Sequence, residues 1–198
     1  ISAINALPFV QNTSSVAARE VRGAKNKFPQ EGKPLLNSAA RPGQTESDYF
    51  NYGASSLAEI RLHKGEFLHN VGLRGQGMQI AMLDGGYFNY TSLKAFDSIK
   101  ANAQVLSTWD FVAGNASVVE DHPHGMQCFS IIGANIPGQF IGKAPKAGFH
   151  LFRTEDVATE YPIEEFNWAC GAERADSTGS DIISSSLGYG YDFTDPVP

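Results

Sequence analysis

Two residues of this chain have the type and setting for proton-transfer chemistry. Asp84 ends the apolar run Ile80-Ala81-Met82-Leu83 and is followed by Gly85-Gly86. Such a run predicts a buried parallel strand. The carboxylate then falls at the carboxyl edge of a sheet, where open α/β folds build their sites. His124, in Asp121-His122-Pro123-His124-Gly125-Met126, opens a stretch of helical apolar period. A carboxylate that accepts an imidazole N–H fixes the tautomer and stabilises the imidazolium formed during catalysis. The positive end of a helix disfavours protonation, so His124 is expected neutral near pH 7 and ready as a general base. Gly125 leaves room for a substrate beside the ring. Taken singly, Asp84 before two glycines is good turn chemistry and His124 is a helix cap; the ordered pair says more.

The elements that must hold this pair follow from hydrophobic period. Strands are predicted at Met78–Leu83, Val105–Val112, Gly148–Arg153 and Asp181–Gly188. Helices are predicted at His124–Asn135 and Ile163–Ala175, the latter carrying Phe166, Trp168 and Cys170. Strands alternating with helices argue an α/β fold with a parallel central sheet flanked by helices. A further helix capped by Ser56 is expected to bury Leu57, Ile60, Phe67 and Leu68. The glycines at 72, 75 and 77 precede a strand instead of following one, which excludes a dinucleotide-binding turn. Residues 13–48, rich in Ser, Asn, Lys, Gly and Pro, read as an extended linker; residues 49–198 form the folded unit.

Composition narrows the function classes. The 198 residues carry 15 basic and 21 acidic side chains, a net charge of −6. With no basic cluster, nucleic acid is not an expected partner. No apolar run approaches the roughly eighteen residues that a membrane helix needs, so no membrane is expected either. The two cysteines, Cys128 and Cys170, fall on apolar helix positions and read as buried thiols with no histidine at hand to activate them.

Asp84-Gly85-Gly86, His124-Gly125-Met126, Gly142-Lys143-Ala144-Pro145 with Ala147, and Ser185-Ser186-Leu187-Gly188 stand in the order and spacing of one family. Over residues 49 to 195 the chain resembles the first half of the catalytic domain of subtilisin-like serine peptidases. Arg153-Thr154-Glu155-Asp156 and Glu164-Glu165-Phe166-Asn167-Trp168 resemble the secreted branch found in Bacteroidetes-type bacteria. Residues 1–12 resemble, more weakly, the end of an inhibitory propeptide.

The resemblance implies a secreted or cell-envelope endopeptidase with a polypeptide substrate, in which Asp84 is the triad acid and His124 the base. Ser185, Ser186, Leu187 and Gly188 would then form the edge on which an extended substrate pairs, with Gly188 near the P1 pocket. Met126 departs from the family's threonine. The nucleophile motif Gly-Thr-Ser-x-Ala-x-Pro and the oxyanion-hole asparagine do not occur in these 198 residues. Ser184, Ser185 and Ser186 lie inside a strand, without the sharp turn that exposes a nucleophile. The expectation is therefore an N-terminal half, inactive by itself, whose serine comes from a C-terminal half held as a second chain. No cofactor is expected; structural calcium is common in the family, but no acidic loop here declares a site. Two other classes stay open: a metal-dependent hydrolase using the His122/His124 pair, and a non-catalytic protein of subtilase-like fold.

Overall fold

The computed structural model describes residues 5–8, 10–13, 48–159 and 161–189. Apart from those short N-terminal stretches, the expected propeptide end at 1–12 and linker at 13–48 lie outside the described residues.

The sheet is built around two strands that alternate apolar side chains to both faces. Strand β1 (Gln79–Asp84) is buried after its first residue. It pairs in parallel with the strand Gly148–Arg153, also buried after its first residue. In chain order the elements are α1 (Gly53–Leu62), α2 (Gly65–Asn70), β1, α3 (Asp97–Ala101), β2 (Val105–Asp110), α4 (His124–Gly133), β3 (Asn135–Ile136), β4 (Phe140–Ile141), β5 (Gly148–Arg153), α5 (Ile163–Ser177) and β6 (Ile182–Ser185). The four-stranded sheet runs β2-β5-β1-β6, every pairing parallel, and β3 and β4 form a small antiparallel ladder. The fold is thus α/β, a parallel central sheet flanked by helices.

Period-2 alternation divides the core into two layers. Ile80, Met82, Phe149 and Leu151 face α3 and α4, meeting Phe96, Ile99 and Phe129. Ala81, Leu83 and Phe152 face α5 and pack with Ala175 and Trp168. The helices on both faces explain why β1 reads as an unbroken apolar run and β5 as one interrupted only by His150.

Strand and helix positions agree with the sequence reading to within a few residues at the ends. The region before β1 differs. One helix was expected there, but Lys64 adopts a left-handed φ of 54° and splits it into α1 and α2. Phe67 and Leu68 are exposed, and His69 is buried in their place. Ser56 is no cap: inside α1, its hydroxyl donates to the Tyr52 carbonyl and accepts the Ile141 N–H, tying the helix to β4. His69 links α2 to the main body, donating through Nε2 to the Lys143 carbonyl while Nδ1 accepts from Tyr52.

Candidate active site

β1 delivers Asp84 to the carboxyl edge of the sheet, and α4 begins with His124 against it. The His124 Nδ1–H donates to Asp84 Oδ1 at 2.7 Å. The same oxygen accepts the Gly85 N–H, also at 2.7 Å. Asp84 is 1% exposed and His124 8%. Asp84 Oδ2 is buried and meets no hydrogen-bond donor among the described residues. On the main chain, the Asp84 carbonyl accepts the Thr154 N–H from the end of β5. A carboxylate accepts only, so Nδ1 carries the proton and Nε2 is the nitrogen left for chemistry.

Two glycines let these pieces meet. A Cβ on Gly125 would lie 2.5 Å from the Gly86 carbonyl oxygen and 2.8 Å from Asp84 Cβ. Gly125 therefore admits the Asp84 turn to the start of α4; room for a substrate is not what it supplies. Gly86, at φ 137°, holds the segment 121–122 equally close.

His124 also differs from expectation in its charge. Burial lowers its pKa, but the hydrogen bond and negative charge of Asp84, with a smaller contribution from the neighbouring Cys128, outweigh that and raise it above its ordinary value. At helix ends the dipole contributes a fraction of a charge, whereas Asp84 places a full one at hydrogen-bond distance. The imidazole is therefore held toward the protonated form.

Cys128 is half-buried and Cys170 exposed, so neither is the fully buried thiol expected. Cys128 lies one turn after His124, its sulfur 4.0 Å from both ring nitrogens. The i,i+4 spacing on a helix was the available signal. Equal distances set the sulfur off the in-plane lone pair of either nitrogen, which is not the geometry of a thiol activated by its histidine. Asp84, His124 and Cys128 form the one group of three close metal-capable residues among those described. Two of their donor atoms are spent on each other, and one oxygen, one nitrogen and one sulfur do not make a calcium cage.

His122 is not part of that group. Its Nδ1 accepts the His124 N–H at 3.2 Å, and burial lowers its pKa. The His-x-His spacing thus serves the start of the helix.

At β6, Ser185 pairs with Leu83 in register, so Ser186, Leu187 and Gly188 run on past the strand at the edge that carries Asp84. Ser185 accepts the Trp168 Nε1–H at 2.9 Å from within the strand. β6 is, with β2, one of the two edge strands of the described sheet, and Ile182 and Ile183 are 50% and 41% exposed. Beyond it, Tyr189 donates to Glu155 and to the Glu164 carbonyl, fastening the segment after β6 to the loop after β5.

Sequence reasoning noted Arg153 only within a family-like motif and gave it no role. Its buried guanidinium reaches Asp110 Oδ2 at 2.9 Å, Asp121 Oδ2 at 3.1 Å and Asp156 Oδ1 at 3.9 Å. The signal was a lone arginine ending an apolar strand, a position where an unpaired charge is costly.

The parallel sheet with helices on both faces is of subtilisin-like fold. Solved structures with the fold include MycP1 with its N-terminal propeptide removed (22% identity, TM-score 0.53, covering 71% of this chain and 40% of that one). MycP3 protease from the type VII (ESX-3) secretion system aligns at 19% identity and TM-score 0.51, over 74% and 38% of the two chains. A serine protease MycP1, an essential component of the type VII (ESX-1) secretion system, aligns at 19% and 0.51, over 81% and 43%. The chain spans about two fifths of the length of these structures. No protein-family model matches the sequence, and no curated protein does.

Proposed function

We propose that this chain is the acid–base half of a serine endopeptidase. Asp84 holds Nδ1 of His124, and Nε2 removes the proton of a serine hydroxyl as it attacks a peptide carbonyl. His124 then passes that proton to the leaving amine, and water repeats the cycle on the acyl-enzyme. The observation that carries the reading is the 2.7 Å bond between buried Asp84 and His124 at the carboxyl edge of β1.

In this proposal the nucleophile and the oxyanion-hole donor come from sequence outside the described residues, as a C-terminal part of the same protein or a second chain. Two observations support it: β6 ends one side of the sheet with exposed isoleucines, and Ser185 lies within that strand without the sharp turn that exposes a nucleophile. An extended substrate would pair along Ser185 to Gly188. Secretion, or residence in the cell envelope, and the Bacteroidetes-type branch belong to the same proposal. Among the described residues no helix is long and apolar enough to cross a membrane.

The test is intact mass spectrometry of the native protein after a fluorophosphonate probe. The expected result is a single labelled serine, on a Gly-Thr-Ser-x-Ala-x-Pro segment, with labelling lost in His124→Ala. Such a loss is on the order of a million-fold in turnover where the histidine is the base. A protein without that segment, inert to the probe, overturns the reading in favour of a non-catalytic protein of this fold.

A further inference from the structure

We propose that Arg153 is a positioning residue for His124, acting through Asp121 on the segment that leads into α4. The inference rests on His124 being the base, and adds the device that keeps it in place.

The sheet register puts Arg153 level with both relevant strand ends. On β5 it is the partner of Asp84 on one side and of Asp110 on the other. Its side chain is buried, so its charge must be answered within the protein. Asp110 answers it with Oδ2, while Asp110 Oδ1 accepts the N–H groups of Val112 and Ala113. The Nε–H donates to the Glu155 carbonyl. That much would be enough for an ordinary structural arginine.

The same guanidinium nitrogen that meets Asp110 also lies 3.1 Å from Asp121 Oδ2. Asp121 stands three residues before His124, with only His122 and Pro123 between. Pro123 has a fixed φ, and His122 is held by the His124 N–H through its ring and by the Phe88 N–H through its carbonyl. Little freedom separates Asp121 from His124. On its other side Asp121 lies against Gly86, two residues beyond Asp84. The segment 121–123 is thus gripped between the Asp84 turn and Arg153.

Desolvation raises the pKa of Asp121 even though Arg153 pulls it down. The carboxylates of Asp110, Glu120 and Asp156 push it the same way as desolvation; the tie to Arg153 is read from the 3.1 Å contact. Loss of the contact lets the start of α4 move relative to Asp84.

The experiment compares Asp121→Asn and Asp121→Glu with the parent in the full chain. Asp121→Asn leaves the Arg153–Asp110 pair intact; Asp121→Glu keeps the charge. Arg153→Lys is a second way to weaken the tie, since an ammonium has no fork. The readouts are the Nδ1 proton of His124 and its titration by NMR, kcat and KM on an unstructured peptide, and the unfolding temperature. In Asp121→Asn and Arg153→Lys we expect a broadened Nδ1 proton and a His124 titration shifted toward lower pH. We expect kcat to fall on the order of tenfold with KM unchanged, and Asp121→Glu to restore these properties.

If the parent cleaves no peptide but Asp121→Asn still disturbs the Nδ1 proton, positioning stands and the peptidase reading fails. If the parent is active and both weakened variants match it in kcat and in the His124 signals, positioning is overturned whatever the unfolding temperature does.

Discussion

The two halves of the carboxyl edge are built in opposite ways. Around Asp84 and His124 every piece is held more than once: a shared carboxylate oxygen, two glycines in close approach, and an arginine bound to several acidic partners. Around β6 there is one strand with an exposed outer side, a single indole–hydroxyl bond and a tyrosine strap. A base must hold its geometry to fractions of an ångström, and burial with redundant contacts supplies that. A surface that pairs with an extended peptide needs free backbone groups, and an edge strand supplies those. Rigidity and openness are divided between neighbouring strands.

The largest expected effect tests the rigid half. Asp84→Asn keeps the shape but offers an amide where the imidazole N–H needs an acceptor. In the intact protein kcat should fall about 10⁴-fold, measured on a peptide substrate. A loss below tenfold would mean that this pair does not do the chemistry.

Next in size is Gly125→Ala, whose new Cβ would meet the Gly86 carbonyl and Asp84. It should cost about 1–3 kcal/mol in denaturant unfolding. An unchanged midpoint would show that the close approach is not needed.

A smaller effect lies in pH. The His124 pKa is raised in the folded state, burial being outweighed by Asp84 and Cys128. The folded protein therefore binds the proton more tightly than the unfolded chain. This stabilisation is fully present below the ordinary value of 6.5 and lost as pH rises through the raised value. Urea midpoints across neutral and alkaline pH should show the decline, and Asp84→Asn should flatten it. The rising limb of peptide hydrolysis should likewise lie above pH 6.5; a limb below it contradicts the shift.

The smallest effect belongs to the open half. Ile182→Thr and Ile183→Thr should change the stability of these 198 residues alone by about 0.5 kcal/mol or less, because both side chains are half exposed. In a protein whose sheet continues past β6 the cost should pass about 1 kcal/mol. Equal small costs in both would leave the edge open to substrate alone.

The sheet was legible because β1 and β5 are apolar on both faces, a pattern that survives in sequence. The acid and the histidine were legible because each sits at an element end beside glycine. The helix break at Lys64 was not, since a left-handed lysine has no sequence signature. His69 was missed for a related reason: its burial depends on the Lys143 carbonyl and Tyr52, both distant in sequence. The charge of His124 was misjudged because the helix dipole was given the decision, while the expected pairing with Asp84, whose full charge outweighs it, was not weighed against it. Arg153 was read only as part of a family-like motif, because two of its acidic partners, Asp110 and Asp121, lie on segments that only the fold brings to it. Cys128 could have been found from the helical spacing alone.

Gly125 carries a consequence for descent. Its missing side chain is required by the path of the main chain around Asp84, whether or not any bond is ever cleaved. A gene copy that lost its nucleophile would still be selected to keep that glycine, merely to fold. The dipeptide His124-Gly125 thus reports the path of this turn, and is a poor witness to whether the chain that carries it is still at work.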